Sequence, residues 1–569
     1  MNDIRRTILW VVFGFSLVML WDQLQVYRGL KPTFFPTPDA TTQPAKKDAK
    51  NATIPSAGPN KATQIGGEPE TQLISPVGPK QKVTLISDLL KLTFDADGGV
   101  VVKSEFIKQL DKETTPKPLI LLDDNEKSVY YAPTGLTKLI AFPGVKFPSH
   151  ETRMTIIPGK RELESGEDRV SISFESPTLG GLKLIKTYIV KRGSYAVDVK
   201  HEVINIGQVG ISPWIYLKLV RHGTPPPGES SFYSTFTGPV IYTEEKKYEK
   251  TDFTDIDKKE KEKKAVDVPQ RSQNGYIAMV QHYFASAWLL PKGESREFEM
   301  GKEAENRYFV MMTTPVGELA PGASKTISSQ LFIGPQEEHL LESLSPGLEL
   351  VKDYGWLTIL AKPLYWLLFK LHSLIGNWGW AIVCLVLLLK AAFYWLNAKA
   401  YSSMAKMKAI NPKITEMRER LKSNPQQMQV EMMRIYKEEK VNPLGGCFPI
   451  MIQIPVFIAL YWVLLSSVEM RNAPWILWIH DLSEKDPWFI LPVIMTLTTV
   501  LQTSLNPAPP DPLQAKLMWF MPLAFSVMFF AFPAGLVIYW ITNNILSIAQ
   551  QWVINTRMGV PPKFHLPKF

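Results

Sequence analysis

NWGWAIVCLVLLLKAAFYWLNAKA, from Asn377 to Ala400, is an apolar run long enough to span a bilayer, with Lys390 inside it. A cation in hydrocarbon costs roughly 3 kcal/mol or more unless it faces protein or water, so an intramembrane charge marks a candidate functional site. A span over residues 377–396 puts Lys390 about 9 Å from its inner end at ~1.5 Å per residue. At that depth a lysine either snorkels to the cytoplasmic interface or faces a wet cavity, and position alone leaves both open.

The rest of the chain makes this run one of several. The mean hydropathy is near zero, but it averages a polar, strand-rich part up to about residue 355 and an apolar part rich in Trp, Phe and Leu beyond it. A chain of 569 residues holds several units. Its net charge of +9 fits an anionic membrane surface better than nucleic acid, because much of the excess lies in loops beside apolar runs. Cys384 and Cys447 sit in or beside spans and read as small core hydrophobes, not as a disulfide, metal site or nucleophile pair. His150, His201, His222, His282 and His339 are scattered, without metal-ligand spacing or a nucleophile motif. No enzyme, cofactor or metal site is expected.

In order, residues 1–24 carry Arg5 and Arg6 before an apolar run without a small-residue cleavage site, which predicts an uncleaved signal anchor. Residues 25–82, rich in Pro, Thr, Ala, Gly and Lys, read as a disordered exported tether. Residues 83–340 alternate apolar and polar positions between Gly and Asn turns, the pattern of an antiparallel β-sandwich. Within them Glu244–Asp267 mixes both charge signs and reads as a solvated loop or edge. Residues 341–376 are a linker and an amphipathic helix lying in the interface. Spans follow at 377–396, 447–467, 488–505, 517–532 and 533–553, six with the anchor. The connections are a loop over 397–446, an outer loop over 468–487, an inner loop over 506–516 and a basic tail over 554–569.

Charge fixes the sidedness. Residues 397–446 hold ten Lys or Arg and are cytoplasmic, whereas 468–487 hold more acids than bases and lie outside. Both termini are then cytoplasmic. The basic loop is itself periodic: Met404, Met407, Ile410, Ile414, Met417 and Leu421 step by three and four, as do Met428, Met432 and Ile435. With Asn424 and Pro425 as a cap and first helical residue, this predicts a helical hairpin turning at 422–425, with Pro412 a kink or restart. Its methionines, with Arg418 and Arg420, form either a plain seam or a surface that meets substrate.

Polar groups recur in the other spans: Gln453 in one, Thr496, Thr498, Thr499, Gln502 and Thr503 in the next, and Thr542, Asn543 and Asn544 in the last. They line a wet recess with Lys390 or serve as glue between helices. No acid accompanies Lys390 in any span, which argues against a proton relay or cation path, and no internal repeat marks a secondary transporter.

The run from Gly376 through the basic hairpin, KVNPLGGCFPIMIQIPVFIALYWVL, RNAPWILWIHDLS and FPAGLVIYWITNNILSIAQQ closely resemble the bacterial YidC membrane protein insertases, in their six-span form with a large periplasmic domain. The resemblance implies a membrane α-helical bundle, one signal-anchor span plus a five-span core, with an all-β periplasmic supersandwich. It also implies an insertase and chaperone in the bacterial inner membrane, working alone or with the Sec translocon and without a cofactor. Implied partners are nascent inner-membrane proteins, the bilayer, and a ribosome or signal-recognition targeting receptor at the hairpin. A hydrophilic groove open to the cytoplasm is implied around Lys390, where the family more commonly has arginine, with Tyr539 and Trp540 matching an aromatic pair in the last span. The alternative is a polytopic solute transporter or channel with an exported binding domain. A third reading makes the exported sandwich a sugar-binding module or an enzyme.

Overall fold

The structure is a computed structural model that describes residues 81–559, except 111–116, 126–127, 138–145, 227–234, 422–423, 440–447 and 507–511. The expected anchor, nearly all of the tether, Cys447, residues 507–511 of the inner loop and most of the tail lie outside the described residues.

The alternating stretches do form strands, because each places every second side chain inward. Leu182–Lys191 buries Leu182, Leu184, Lys186, Tyr188 and Val190. Among the described residues the strands make one ten-stranded and one nine-stranded sheet, packed face to face on a core that includes Phe94, Phe106, Phe174, Tyr188, Trp288 and Phe332. Polar side chains bridge the layers: the Tyr130 hydroxyl meets Ser286 Oγ at 2.7 Å, and Trp288 Nε1 donates to the Lys218 carbonyl at 3.0 Å. The mixed-charge run takes the edge reading over the loop: its strand closes one side of the nine-stranded sheet. It forms the strand Lys247–Lys250 and helix α1 (Phe253–Lys261), because Ile256 is buried and Asp257 ties to Tyr308 and Lys302 at 2.8 and 3.0 Å.

Helix α2 (Glu338–Leu344) leaves the sandwich. Then come α3 (Thr358–Ile375), α4 (Trp378–Ala392), α5 (Tyr394–Arg420), α6 (Pro425–Glu438), α7 (Phe448–Ser466), α8 (Ile490–Leu505), α9 (Pro512–Met528) and α10 (Ala534–Arg557). Helices α3, α4, α7, α8 and α10 share a second core, with Ala361, Leu385, Leu460, Met495 and Val537 inside it. The run expected to be helical to residue 396 breaks at Phe393 and turns by 68° into α5. No proline or glycine stands at the break; both segments pack on α10, through Lys390 to Ser547 and Asn397 to Gln550. Among the described residues no single helix is long and apolar enough to cross a membrane, though α4 and the first half of α5 together are. Helix α5 continues through Pro412 without a restart.

One buried ion pair joins the two bodies. Lys352, past the last strand, places Nζ 3.2 Å from both Glu469 oxygens beyond α7, and the Tyr365 hydroxyl of α3 donates to Glu469 at 2.5 Å. Deleting one member of such a pair strands the other, at about 3–5 kcal/mol. Glu469→Ala should therefore lower the thermal midpoint of the detergent-solubilised protein and speed proteolysis near residues 344–357. Lys352→Met combined with Glu469→Gln should recover most of the loss.

Lys186 is the other buried cation of note. Its inward register leaves it with carbonyl acceptors only, Gly98 at 2.7 Å and Thr134, and burial pushes it from the ordinary 10.5 down to about 7. Between those values the unfolded chain binds the extra proton, so this lysine makes stability rise with pH. Amide exchange in Leu182–Lys191, corrected for intrinsic rates, should slow from pH 7 to about pH 9.5. Lys186→Met should flatten that trend.

Candidate functional site

The site begins at the start of α4. Asn377 caps it, accepting from the Trp380 amide at 3.1 Å and donating to the Pro474 carbonyl at 3.1 Å. Gly379 is required next, since a Cβ there would meet the Trp475 ring at 2.2 Å. These contacts fix the rotation of α4 and hence the direction of Lys390, three turns on. Lys390 is only 8% exposed. Its ammonium turns inward and donates to Ser547 Oγ of α10 at 2.7 Å; it does not snorkel. Among the described residues no carboxylate pairs with it.

Helix α10 presents polar residues at helical spacing along one side: Asn543, Asn544, Ser547, Gln550 and Gln551. Ser547 passes its own proton to the Asn543 carbonyl at 2.7 Å, which leaves its lone pairs toward Lys390 and the Tyr401 side chain. Gln550 reaches the Lys390 carbonyl at 3.4 Å. Asn544 donates to Thr498 and Thr499 of α8 at 3.2 and 3.0 Å, so Thr498 serves as glue between α8 and α10. Gln502 is half-buried one turn further along α8. Tyr539 and Trp540 lie about two turns from Ser547 and join rings instead. Tyr539 stacks on Phe457 at 5.7 Å, and Trp540 meets Phe457 and Phe529 edge-on or tilted at 4.6 and 4.8 Å. The side chain of Gln453 lies outside the described residues.

The structure thus brings Asn543 next to the Lys390 partner, puts Thr498 in an α8–α10 joint and Tyr539 and Trp540 in an aromatic cluster, and joins Gln502 to neither. Sequence reasoning missed Ser547, Gln550 and Gln551, although the three- and four-residue spacing from Asn543 was a readable signal. Another missed group is Asp486, nearly fully buried, which accepts from the Trp478 indole at 2.9 Å and from the Trp488 and Leu491 amides at 3.0 and 2.7 Å. The Ala534 and Gly535 amides bond to the Glu484 and Leu482 carbonyls of the same loop. The loop between α7 and α8 therefore holds the first turns of α4, α8 and α10 together.

At the other end, α5 and α6 form the expected hairpin, with Asn424 capping α6 through the Gln427 amide at 3.2 Å. Ile410, Ile414 and Met417 are its core, and Met407, Met428 and Met432 pack on them. Met404 is half-buried just outside that seam. Arg418 is half-buried, while Arg420 is exposed, 3.9 Å from Glu431. The large apolar side chains left outward on α6 are Val430 and Met433.

Two family descriptions match the chain. "YidC periplasmic domain" covers residues 82–367, and "60Kd inner membrane protein" covers 370–560. The chain is 50% identical over 563 residues to the membrane protein insertase YidC of Cupriavidus necator, covering 98% of each chain. It is 50% identical over 563 residues to that of Ralstonia nicotianae, covering 99% of each. A crystal structure of an active YidC insertase with its first transmembrane domain resolved aligns over 83% of this chain and 92% of that one, at 17% identity and a TM-score of 0.36.

The Asn544 contacts predict a measurable joint. Hydrogen bonds between membrane helices are worth about 0.6 kcal/mol each on average. Asn544→Ala should thus destabilise the α8–α10 contact by about 1 kcal/mol, seen as a lower melting midpoint in detergent with insertion retained.

Proposed function

This chain belongs to the YidC family of membrane protein insertases, and we propose that Lys390 is the charge that draws the polar or acidic segment of a substrate into its helical core. The protein is a membrane protein insertase of the bacterial inner membrane with a periplasmic domain, and its family is not one of catalytic enzymes. The observation that carries the proposal is the kind of partner Lys390 has. A neutral hydroxyl holds its ammonium at 2.7 Å, so its full charge remains to be offered elsewhere.

Magnitudes favour an exchange of partners. A hydrogen bond to a neutral hydroxyl is worth about 1 kcal/mol net. A carboxylate 4 Å away gains about 4 kcal/mol at an effective dielectric of 20, and less as water enters. A substrate acid thus displaces Ser547, yet leaves again. In this reading Lys390, Asn543 and Gln502 border a hydrophilic groove open to the cytoplasm, with Tyr539 and Trp540 at its outer limit and the outer loop closing the periplasmic end. The apolar segment of the substrate leaves sideways along α4 and α8, where Leu387, Leu388, Leu497 and Leu501 are exposed.

The membrane passages are the anchor, α4 with the start of α5, α7, α8, α9 and α10, with both termini in the cytoplasm. The α5–α6 hairpin receives the ribosome or the targeting receptor, with Val430 and Met433 as its outward apolar contacts, and the Sec translocon shares larger substrates. No cofactor takes part.

Insertion of a small substrate with an acidic exported segment, followed by protease protection in proteoliposomes, tests the role of Lys390. Lys390→Arg should keep most activity, Lys390→Ala should lose about tenfold, as a charge contact of ~1.4 kcal/mol requires, and Lys390→Glu should lose more. Full activity in the glutamate variant would sink the electrostatic role.

A further inference from the structure

Exposed large aliphatic side chains on the β domain fall into two groups, Ile206 with Val209 and Ile107 with Leu110 and Ile120. They lie at opposite ends. The strand Ser324–Pro335 pairs Ser324 with Ile204 at one end and Pro335 with Phe284 at the other, which separates the ends by about 36 Å at ~3.3 Å per residue.

The Phe284 end is the one that rests on the helical core. His282 Nε2 lies 3.0 Å from the Leu465 carbonyl at the end of α7, and the Arg471 guanidinium stands 5.4 Å from the Tyr283 and Phe284 rings. Phe106 meets Phe284 at 5.2 Å, and its strand, Val100–Leu110, runs four residues further. Those residues end against the core too: Arg471 donates to the Leu110 carbonyl at 3.0 Å.

Along this overhang the inward–outward alternation lapses. Ile107, Leu110 and Ile120 are 44%, 41% and 39% exposed, on two strands joined at Leu110–Pro118 and Glu105–Ile120. Glu105 is neutralised by Lys91 and Lys103, each at 3.2 Å. Lys108 is exposed among the aliphatics and Arg471 flanks them. Aliphatic tips interleaved with cations, and an acid already paired, match a phospholipid headgroup layer with anionic lipid.

We propose that the overhang of Ile107, Leu110 and Ile120 dips into the outer-leaflet headgroup region and sets the β domain at a fixed height on the bilayer. This rests on reading the helical core, α7 and α8 alike, as membrane-spanning, because Arg471 lies five residues past the outer end of α7 and places Leu110 at the membrane surface. The domain is then held from two sides, by the Lys352–Glu469 pair and by lipid.

Single cysteines at positions 107, 110, 120, 209 and 501 of the full chain, with Cys384 and Cys447 replaced by serine, carry an environment-sensitive fluorophore. The probe membrane is a phosphatidylethanolamine–phosphatidylglycerol nanodisc doped with headgroup or acyl-chain nitroxide lipid. Headgroup nitroxide should quench positions 107, 110 and 120 at least about twofold and leave 209 unchanged, while acyl-chain nitroxide quenches 501. Quenching at 107, 110 and 120 no greater than at 209, with 501 quenched, overturns the lipid contact alone. An unquenched 501 overturns the span reading, and this proposal with it.

Discussion

The constraint on which the helical core depends is the backbone polarity of the helix ends that meet the loop between α7 and α8. Each helix begins with amides that have no partner inside it, and where water is scarce every such group costs several kcal/mol if left alone. That one segment answers for three helices: Pro474 receives the Asn377 cap of α4, Asp486 takes the Leu491 amide of α8, and Leu482 and Glu484 take the first amides of α10. Aromatic side chains of that segment add ring contacts, Trp478 stacking on Trp488 at 5.5 Å and Trp475 meeting Trp380 of α4 edge-on. The bundle is therefore tied at this end. At the opposite end α4 gives way at Phe393 to α5, whose Asn397 donates to Gln550 of α10.

Three buried lysines show how a partner sets a role. Lys352 has a carboxylate and a tyrosine ring, the latter 3.9 Å from its Nζ, and it welds the β domain to the core. Lys186 has two backbone carbonyls, which hold it without cancelling its charge, and it stays inside the sandwich. Lys390 has a single side-chain hydroxyl. A fixed carboxylate beside it would spend its charge on structure, and a carbonyl cage would leave no room for a second partner. A hydroxyl keeps the ammonium in place and leaves its charge uncancelled.

Much of this was legible in one dimension because the signals are local. Period-two burial in Leu182–Lys191, the Asn424–Pro425 helix start and the three–four spacing from Met407 to Leu421 depend only on neighbours along the chain. So did the anomaly of a lysine in the run from Asn377, the clue that led to the site. The partners were not legible. Asn544 meets Thr498 and Thr499, and Lys390 meets Ser547, across more than forty and more than one hundred and fifty residues of chain respectively. Nothing in a serine marks it in advance as the one that faces a cation.

The amino-acid sequence by itself determined the element types, the division into a strand-rich part and an apolar helical part, and the family, since each follows from periodicity, composition or extended motif. Tertiary structure alone decided that Lys390 turns inward, that Tyr539 and Trp540 join a ring cluster, and that the chain bends at Phe393. The physical reason is that these depend on helix rotation and on which faces meet. Rotation is set by distant contacts such as Asn377 on Pro474 and Gly379 under Trp475, which no local pattern encodes.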